Sequence, residues 1–254
     1  MEDSVDSLAP WFYEFDLGPL GRTASALPVD VQPIHRTRLQ MVEVALERIF
    51  TDDELRSSAC LDVGCHEGYY AVELAKRGVH RVVGVDVREE SVKKARFVAR
   101  TLGLENAEFR LGNAERISRE LLGTYDLTLF LGILYHLENP MLCLRNVSDV
   151  TGRACIVETQ VIDEVAGETE WGWQNWKYPY CGALALIDET LEFDSGNRQT
   201  GATPLATCPT PKALVTMLNH AGFPRVEFIP APPGAYEQHA RGKRVVCVAF
   251  KDSR

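Results

Sequence analysis

The 254-residue sequence lacks the features that mark membrane, secreted and zinc-binding proteins. No apolar run approaches the roughly 18–20 residues that a membrane-spanning helix needs. The acidic first four residues are unlike the basic and apolar start of a signal peptide. The seven cysteines are irregularly spaced and form no C-x-x-C pair. We therefore expect reduced thiols in a cytoplasmic protein, with no metal site and no membrane partner.

Positive charge is also scarce, with 27 lysine and arginine residues against 36 aspartate and glutamate residues and a formal charge of −9. Proteins that bind nucleic acids gain much of their affinity from basic groups that displace counterions. Because the basic residues form no long run, nucleic acid is not expected as a partner. The sequence leaves the oligomeric state open, and a homodimer is one option.

Strand and helix patterns alternate along a chain whose composition, 45% apolar and 25% charged, is that of a globular domain. Strands are predicted at residues 59–63, 81–86, 107–111, 125–131, 154–159, 225–229 and 244–250. Helices are predicted at residues 33–50, 69–77, 89–102 and 210–222, with a further helix starting at residue 140. This order predicts an α/β fold with a doubly wound, mostly parallel, seven-stranded sheet.

Two segments do not follow this alternation of strands and helices. Residues 1–55 contain an aromatic arm followed by a helix, and we expect them to pack on a core domain formed by residues 56–254. Residues 160–209 form an insertion after the fifth strand, and this insertion is rich in tryptophan. The tryptophans either pin the insertion to the domain as a hydrophobic cluster or cover a substrate.

A glycine turn follows the first predicted strand, with Asp62, Gly64 and Gly68 at the passage from strand to helix. Glycines there let the backbone approach a ligand, and the helix N-terminus offers unpaired N–H groups. A dinucleotide fingerprint would require glycine where His66 and Tyr69 stand. Because the side chain of His66 would crowd a pyrophosphate, the turn favours a nucleoside ligand without bridging phosphates over NAD.

An acidic residue, Asp86, ends the second predicted strand about 20 residues after the turn, where it can accept hydrogen bonds from both hydroxyls of a ribose. A glycine turn alone is a weak signal, because many such turns are purely structural. Combined with this acid within one strand–helix–strand unit, it indicates a nucleoside site.

Four segments carry a resemblance to a known family: LDVGCHEGYY at residues 61–70, VGVD at 83–86, GNAE at 112–115 and LGILYHLENP at 131–140. They resemble the successive motifs of class I S-adenosylmethionine (SAM)-dependent methyltransferases. The resemblance covers residues 59–159. The aromatic arm at residues 11–15 also resembles the start of a subgroup that includes glycosyltransferase-associated methyltransferases and enzymes that modify the wobble uridine of transfer RNA.

The resemblance implies a Rossmann-like fold and SAM as cofactor, released as S-adenosylhomocysteine (SAH). The cofactor-binding residues that it implies are Asp62, Gly64, Cys65, His66, Gly68, Asp86, Asn113, Ala114 and Leu131. In the family, the residues matching the turn surround the methionine part of SAM, and the residue matching Asp86 holds the ribose. Asn113 stands where the family usually has an aspartate near the adenine amino group, and its side-chain carbonyl can accept the same hydrogen bond.

Two residues that follow the fourth strand, Tyr135 and His136, are the candidate catalytic residues. They lie at the edge of the sheet where ligands bind in open α/β folds. Methyl transfer mainly needs alignment of donor and acceptor, but an acceptor atom that carries a proton can also need a base. Histidine titrates near neutrality, so His136 suits that task. Positioning of a ligand, or packing of the following helix, is the alternative role for His136.

Substrate contacts are expected from the arm, from the end of the fifth strand and from the insertion. The residues are Trp11, Tyr13, Glu158, Trp171, Trp173 and Trp176. Aromatic faces suit flat rings and the apolar faces of sugars, and a carboxylate at a strand end is badly placed for packing. We therefore expect a closed pocket that holds one ring-sized molecule.

The sequence thus predicts SAM-dependent methyl transfer to a small organic acceptor, at oxygen rather than nitrogen. One alternative is modification of the transfer-RNA wobble uridine with a SAM-type cofactor. Another is a SAM-binding protein that acts through a partner without catalysis. A dinucleotide oxidoreductase is the third, and His66 and Tyr69 argue against it.

Overall fold

The computed structural model describes residues 3–170, 177–195 and 200–252 of the chain. The strands in these residues are Ala59–Val63 (β1), Arg81–Asp86 (β2), Ala107–Leu111 (β3), Tyr125–Leu131 (β4), Thr151–Gln160 (β5), Leu184–Asp188 (β6), Leu205–Pro209 (β7), Arg225–Ile229 (β8) and Arg244–Phe250 (β9). One seven-stranded sheet has the order β3-β2-β1-β4-β5-β9-β8, and β6 pairs with β7 separately.

Helices cover both faces of the large sheet. The α-helices are Pro33–Ile49 (α1), Asp52–Ser57 (α2), Tyr69–Lys76 (α3), Glu89–Thr101 (α4), Arg119–Leu122 (α5), Pro140–Val150 (α6), Thr190–Asp194 (α7), Pro211–Ala221 (α8) and Glu237–Ala240 (α9). Short 3-10 turns lie at Gly18–Leu20 and Leu134–His136. Within the described ranges, no helix is both long enough and apolar enough to cross a membrane.

The pairing of the strands confirms the predicted fold class. Strands β1 to β5 pair in parallel, and β9 runs antiparallel between β5 and β8. Parallel strands separated by helices place their carboxyl ends along one edge of the sheet, where open α/β folds bind ligands. The glycine turn, Asp86 and the turn Leu134–His136 all follow strands at this edge.

Besides the short helices α5, α7 and α9, which were not predicted, the strands differ from the sequence prediction at two places. Strand β5 begins at Thr151 rather than at residue 154, because α6 passes directly into it. The Thr151 hydroxyl donates to the Val147 carbonyl at 2.6 Å and lies 2.7 Å from the hydroxyl of Thr128, so the junction is fully buried. The second difference is the hairpin of β6 and β7, which the sequence did not predict because β6 is mostly exposed.

The aromatic arm is part of the hydrophobic core. Trp11 and Phe15 are each 2% exposed and share one cluster with residues of α1, α3 and α4. The Trp11 indole N–H donates to the Val5 carbonyl at 2.9 Å, so its polar edge is satisfied. The predicted division of the chain into residues 1–55 and 56–254 stays a prediction.

A buried ion pair attaches the arm to the glycine turn. Glu67 lies in this turn, and its side chain accepts hydrogen bonds from the backbone N–H groups of Phe12 (2.8 Å) and Tyr13 (3.1 Å). Its other oxygen lies 2.9 Å from Nζ of Lys94, with both side chains at most 4% exposed. Lys94 also donates to the carbonyl of Pro10. The position of the arm is therefore coupled to the position of the turn.

Candidate functional site

A cavity of about 410 Å³ opens at the carboxyl-end edge of the sheet. Its walls come from the glycine turn, the ends of β2, β4 and β5, the arm, α1 and the insertion. The residues predicted for the site that line it are Tyr13, Gly64, His66, Asp86, Asn113, Ala114, Leu131, Tyr135 and His136. Asp62, Cys65, Gly68, Trp11 and Glu158 do not line it. Trp171, Trp173 and Trp176 lie outside the described residues.

The glycine turn needs glycine at Gly64 for two reasons. Its φ of +72° is a backbone conformation that other residues rarely adopt. A Cβ there would also lie 2.5 Å from Cγ2 of Ile133, a residue of the facing cavity wall. The backbone of Gly64 thus forms the cavity wall directly, and a ligand can approach it closely.

Asp86 connects the turn to β2 and keeps acceptor capacity for a ligand. One of its oxygens accepts from the His66 backbone N–H and the other from the Arg88 backbone N–H, each at 2.9 Å. Burial raises the pKa of this carboxyl group above its usual value, and the two backbone hydrogen bonds oppose the shift. Each carboxylate oxygen can accept a second hydrogen bond, so two ligand hydroxyls can still be bound.

Asn113 and Ala114 form the wall beyond Asp86. The Asn113 side-chain oxygen accepts from the Glu115 N–H at 2.9 Å, which fixes the side chain over its own backbone. The Gly112 N–H donates to the Asp86 carbonyl at 2.9 Å and holds this wall against β2. The Asn113 oxygen retains one lone pair, so it can still accept from an amino group.

Three of the predicted cofactor residues lie behind the turn. Gly68 has φ +82°, and a Cβ there would lie 2.7 Å from the ring of Phe109, so packing requires this glycine. Cys65 is buried at 3% exposure. Asp62 is 2% exposed, burial raises its pKa to about 7, and one of its oxygens has no hydrogen-bond partner among the described residues.

Glu158 lies beneath the cavity rather than in its wall, which corrects its predicted contact with substrate. The side chain is fully buried and lies 3.2 Å from the guanidinium of Arg38 and 3.0 Å from that of Arg244. Nε2 of His239 is 3.4 Å away. Burial alone would raise the pKa of Glu158, but Arg244 and Arg38 hold it well below its usual range. The carboxylate at this strand end therefore neutralises two buried arginines inside the protein.

Both arginines line the cavity, and one of them orients Tyr135. The Tyr135 hydroxyl accepts hydrogen bonds from two nitrogens of Arg244, each at 3.2 Å. Because both lone pairs of the hydroxyl are used, its hydrogen stays available to donate into the cavity. Sequence reasoning missed Arg244, which lies on β9 in a segment without a motif.

His136 lies beside this tyrosine, with ring centroids 4.1 Å apart. Its Nδ1 is 3.5 Å from an oxygen of Glu189, a residue of the insertion that sequence reasoning also missed. Burial lowers the pKa of His136, Glu189 opposes the shift, and Arg244 and Arg88 add to it. The imidazole is therefore neutral near pH 7, the state in which a ring nitrogen can accept a proton.

The arm contributes Phe12 and Tyr13 to the cavity, and not Trp11. The Phe12 ring lies 4.8 Å from that of His66, and the Tyr13 ring stacks on Tyr69 at 4.8 Å. The predicted cavity contact of Trp11 is wrong, because its ring packs in the core against Phe15 and Phe97, with ring centroids 5.9 and 6.2 Å away. The part of the insertion that is described contributes Gln160, Glu189, Glu192 and residues 200–202 to the wall.

Comparison with known proteins identifies the family. A family model described as a methyltransferase domain matches residues 56–191, more than half of the chain. The chain is 30% identical over 205 residues to an O-antigen chain terminator, the bifunctional methyltransferase/kinase WbdD of Escherichia coli; the match covers 72% of this chain and 26% of that protein. It is 26% identical over 201 residues to a tRNA U34 carboxymethyltransferase of Desulfotalea psychrophila, covering 78% of this chain and 55% of that protein.

Solved structures show the same fold. The N-terminal domain of EvdMO1, crystallised with SAH and D-fucose, superposes with a TM-score of 0.69 at 20% identity and covers 97% of this chain and 93% of that domain. Magnesium protoporphyrin IX methyltransferase of Synechocystis with bound SAH gives a TM-score of 0.60 at 16% identity, covering 90% of each chain. Among the curated relatives named above, the matched region spans 26% to 55% of the relative's length. Because the family model covers the glycine turn and the strands around it, this chain belongs to the class I SAM-dependent methyltransferases.

Proposed function

We propose that the protein transfers the methyl group of SAM to an oxygen of a small organic acceptor. The observation that carries this proposal is one cavity in which two different sets of residues form the walls. One wall has the glycine turn and Asp86, and the other has His136 and Tyr135. The volume of about 410 Å³ lies within the range of roughly 300–1,000 Å³ that is usual for small-molecule sites.

The residues present fit SAM. Asp86 has acceptor capacity for the ribose hydroxyls, Gly64 presents bare backbone to the methionine part, and Asn113 keeps one lone pair for the adenine amino group. When bound, SAM supplies an activated methyl group on a sulfonium.

The protein's own contribution is to orient the acceptor and to take its proton. Neutral His136 offers a nitrogen lone pair at the cavity, and the Tyr135 hydroxyl offers a hydrogen-bond donor beside it. Arg38 and Arg244, fixed by Glu158, present cationic groups in the same wall. Phe12 and Tyr13 supply apolar surface on which a ring can pack.

Sugars are the acceptor class with the most support. A structural neighbour was crystallised with D-fucose, and a relative is named as an O-antigen chain terminator. Sugar rings combine apolar faces with hydroxyl groups, which matches a wall of aromatic rings next to polar side chains. A deoxysugar is therefore the first probe to use.

Modification of transfer RNA is the second candidate, because several relatives are named tRNA U34 carboxymethyltransferase. The formal charge of −9 and the absence of a long basic run in the sequence argue against this candidate. Tight, salt-sensitive binding of transfer RNA in a gel-shift assay would favour it over a small acceptor.

Two measurements test the proposal. Titration calorimetry should show heat with SAH and none with NAD, and the opposite result would overturn the assignment of the turn. Transfer of radiolabelled methyl groups from SAM to D-fucose and related sugars should then depend on His136. We expect His136→Ala to lower turnover by roughly 10²–10⁴-fold with SAH affinity nearly unchanged.

The matched control is His80→Ala, which removes an exposed histidine far from the cavity wall. It should leave turnover unchanged. Near-normal turnover of His136→Ala across the whole pH range would show that alignment alone suffices and that His136 is not the base.

A further inference from the structure

The insertion packs closely around the turn that carries His136. The Thr207 hydroxyl donates to the Leu137 carbonyl at 2.9 Å. A methyl group on Gly201 would overlap the carbonyl oxygen of His136, so only glycine permits this approach. The insertion therefore contacts the backbone of the turn at two separate points. A third contact is made with the imidazole of His136.

Glu189 makes the contact with the imidazole of His136, and a backbone hydrogen bond holds Glu189 in place. It lies between β6 and α7, and its backbone N–H donates to the Pro204 carbonyl at 2.8 Å. One of its carboxylate oxygens lies 3.5 Å from Nδ1 of His136, and both side chains are 20% exposed. This separation is at the long end for a hydrogen bond.

We propose that Glu189 is a positioning residue that holds His136 with Nδ1 protonated, so that Nε2 is free to take a proton from the acceptor. This inference rests on the proposed methyl transfer to oxygen. The neutral imidazole carries one N–H, and a carboxylate next to Nδ1 selects the tautomer that places it there. The insertion then has a role in the reaction besides enclosing the acceptor.

The charges around His136 show why a carboxylate is needed. Arg244 on β9 and Arg88 after β2 both disfavour a cationic imidazole, as does burial. When the acceptor O–H bond breaks, the proton goes to Nε2 and the electron pair stays on the oxygen. The oxygen would use this pair to bond the methyl carbon while the bond from that carbon to the sulfonium sulfur breaks, and the electron pair of the broken bond would stay on sulfur in SAH. The imidazolium that forms is balanced by Glu189, and it then releases the proton to water.

A second role for Glu189 would be direct contact with the acceptor, since it also lines the cavity. The two roles predict different results. A positioning residue changes the titration and the tautomer of His136 in the protein without ligands. A residue that only contacts the acceptor changes the KM and leaves the imidazole as it was.

The first test is an NMR titration of the full chain with isotope-labelled histidines, without cofactor or acceptor. The His136 resonance is assigned by its loss in His136→Ala. In Glu189→Gln we expect the His136 pKa to fall by about 1 unit, or tenfold in the proton-binding constant, because a facing anion is removed. The nitrogen shifts should also show a mixture of tautomers instead of protonated Nδ1.

Asp194→Asn is the matched control, because it removes one negative charge from the exposed surface of α7. Its His136 titration should match that of the unmodified protein. A His136 pKa and tautomer that stay unchanged in Glu189→Gln would overturn the proposal. If Glu189→Gln does not fold, Glu189→Asp is used instead; withdrawing the carboxylate by one methylene should shift the tautomer in the same direction.

The second test follows methyl transfer to the acceptor found above. Glu189→Gln should lower kcat by about tenfold with little change in KM, and the acidic limb of the pH profile should move to lower pH. A raised KM with an unmoved pH profile would assign Glu189 to acceptor contact instead. If the NMR shift occurs but no acceptor is methylated, the proposed function fails while the pairing of Glu189 with His136 stands.

Discussion

Replacing Glu158 by glutamine should strongly destabilise the protein. The substitution keeps the volume of the side chain and removes its charge, which leaves the buried guanidinium groups of Arg38 and Arg244 without a counterion. Breaking a buried ion pair by removing one partner costs about 3–5 kcal/mol. Solvent screens these ion pairs very little, because the carboxylate is 0% exposed and the two arginines are at most 7% exposed.

Chemical denaturation at pH 7 measures this loss in the free energy of unfolding. For a chain of this size, about 3–5 kcal/mol corresponds to a fall in Tm of about 6–20 °C. Glu47→Gln, an exposed position on α1, is the control and should change stability by less than about 0.5 kcal/mol. Arg38→Met should cost less than Glu158→Gln, because Glu158 keeps its contact with Arg244. A loss below about 1 kcal/mol in Glu158→Gln would refute the reasoning.

The same ion pairs predict a dependence on pH. The pKa of Glu158 in the folded protein lies well below its ordinary value of 4.5. A carboxyl group with a depressed pKa binds more protons in the unfolded state, so its stabilisation is complete above that ordinary value and declines as the pH falls below it. The unmodified protein should therefore lose stability as the pH falls below 4.5, and Glu158→Gln should lose less over the same interval.

Three further predictions concern the turn and the arm. Asp86→Ala should lower SAH affinity by about 1.5–3 kcal/mol, or about 10- to 150-fold, in titration calorimetry. Gly64→Ala should lower both Tm and SAH affinity because its Cβ would lie 2.5 Å from Ile133, whereas Gly78→Ala, with a similar φ and open space, should lower only Tm. Lys94→Met should leave the buried carboxylate of the turn unpaired, and limited proteolysis should then cleave the arm faster than in the unmodified protein.

The cofactor half of the site could be predicted from the sequence because its signals are local. Glycine at Gly64, a strand before it and an acid at Asp86 all lie within one strand–helix–strand unit. The boundaries of β1, β2, β3 and β4 were also predicted correctly. Strands β1, β2 and β4 are mostly apolar, and β3 alternates apolar and charged residues. Asn113 and Leu131, which the resemblance to the family implied as cofactor residues, also line the cavity.

The part of the cavity that is proposed to bind the acceptor could not be predicted in the same way. Arg244 and Glu189 reach the cavity from segments that carry no motif, and their roles depend on contacts with residues far away in the chain. Glu158 was expected at the cavity because it is a carboxylate at the end of the fifth strand, and Trp11 because it belongs to the aromatic arm. An aromatic arm has both a core-facing and a cavity-facing side, and the sequence does not say which residue lies on which.

Three carboxylates attach the arm, α1 and the insertion to the elements around the large sheet. Glu67 fixes the arm to the glycine turn, Glu158 joins α1 to β9 across the end of β5, and Glu189 meets His136 from the insertion. Only Glu67 lies in the cofactor turn, so its loss should disturb both ligands. Changes at Glu158 or Glu189 act on the walls around the acceptor, and SAH affinity should therefore fall less than acceptor turnover in their variants.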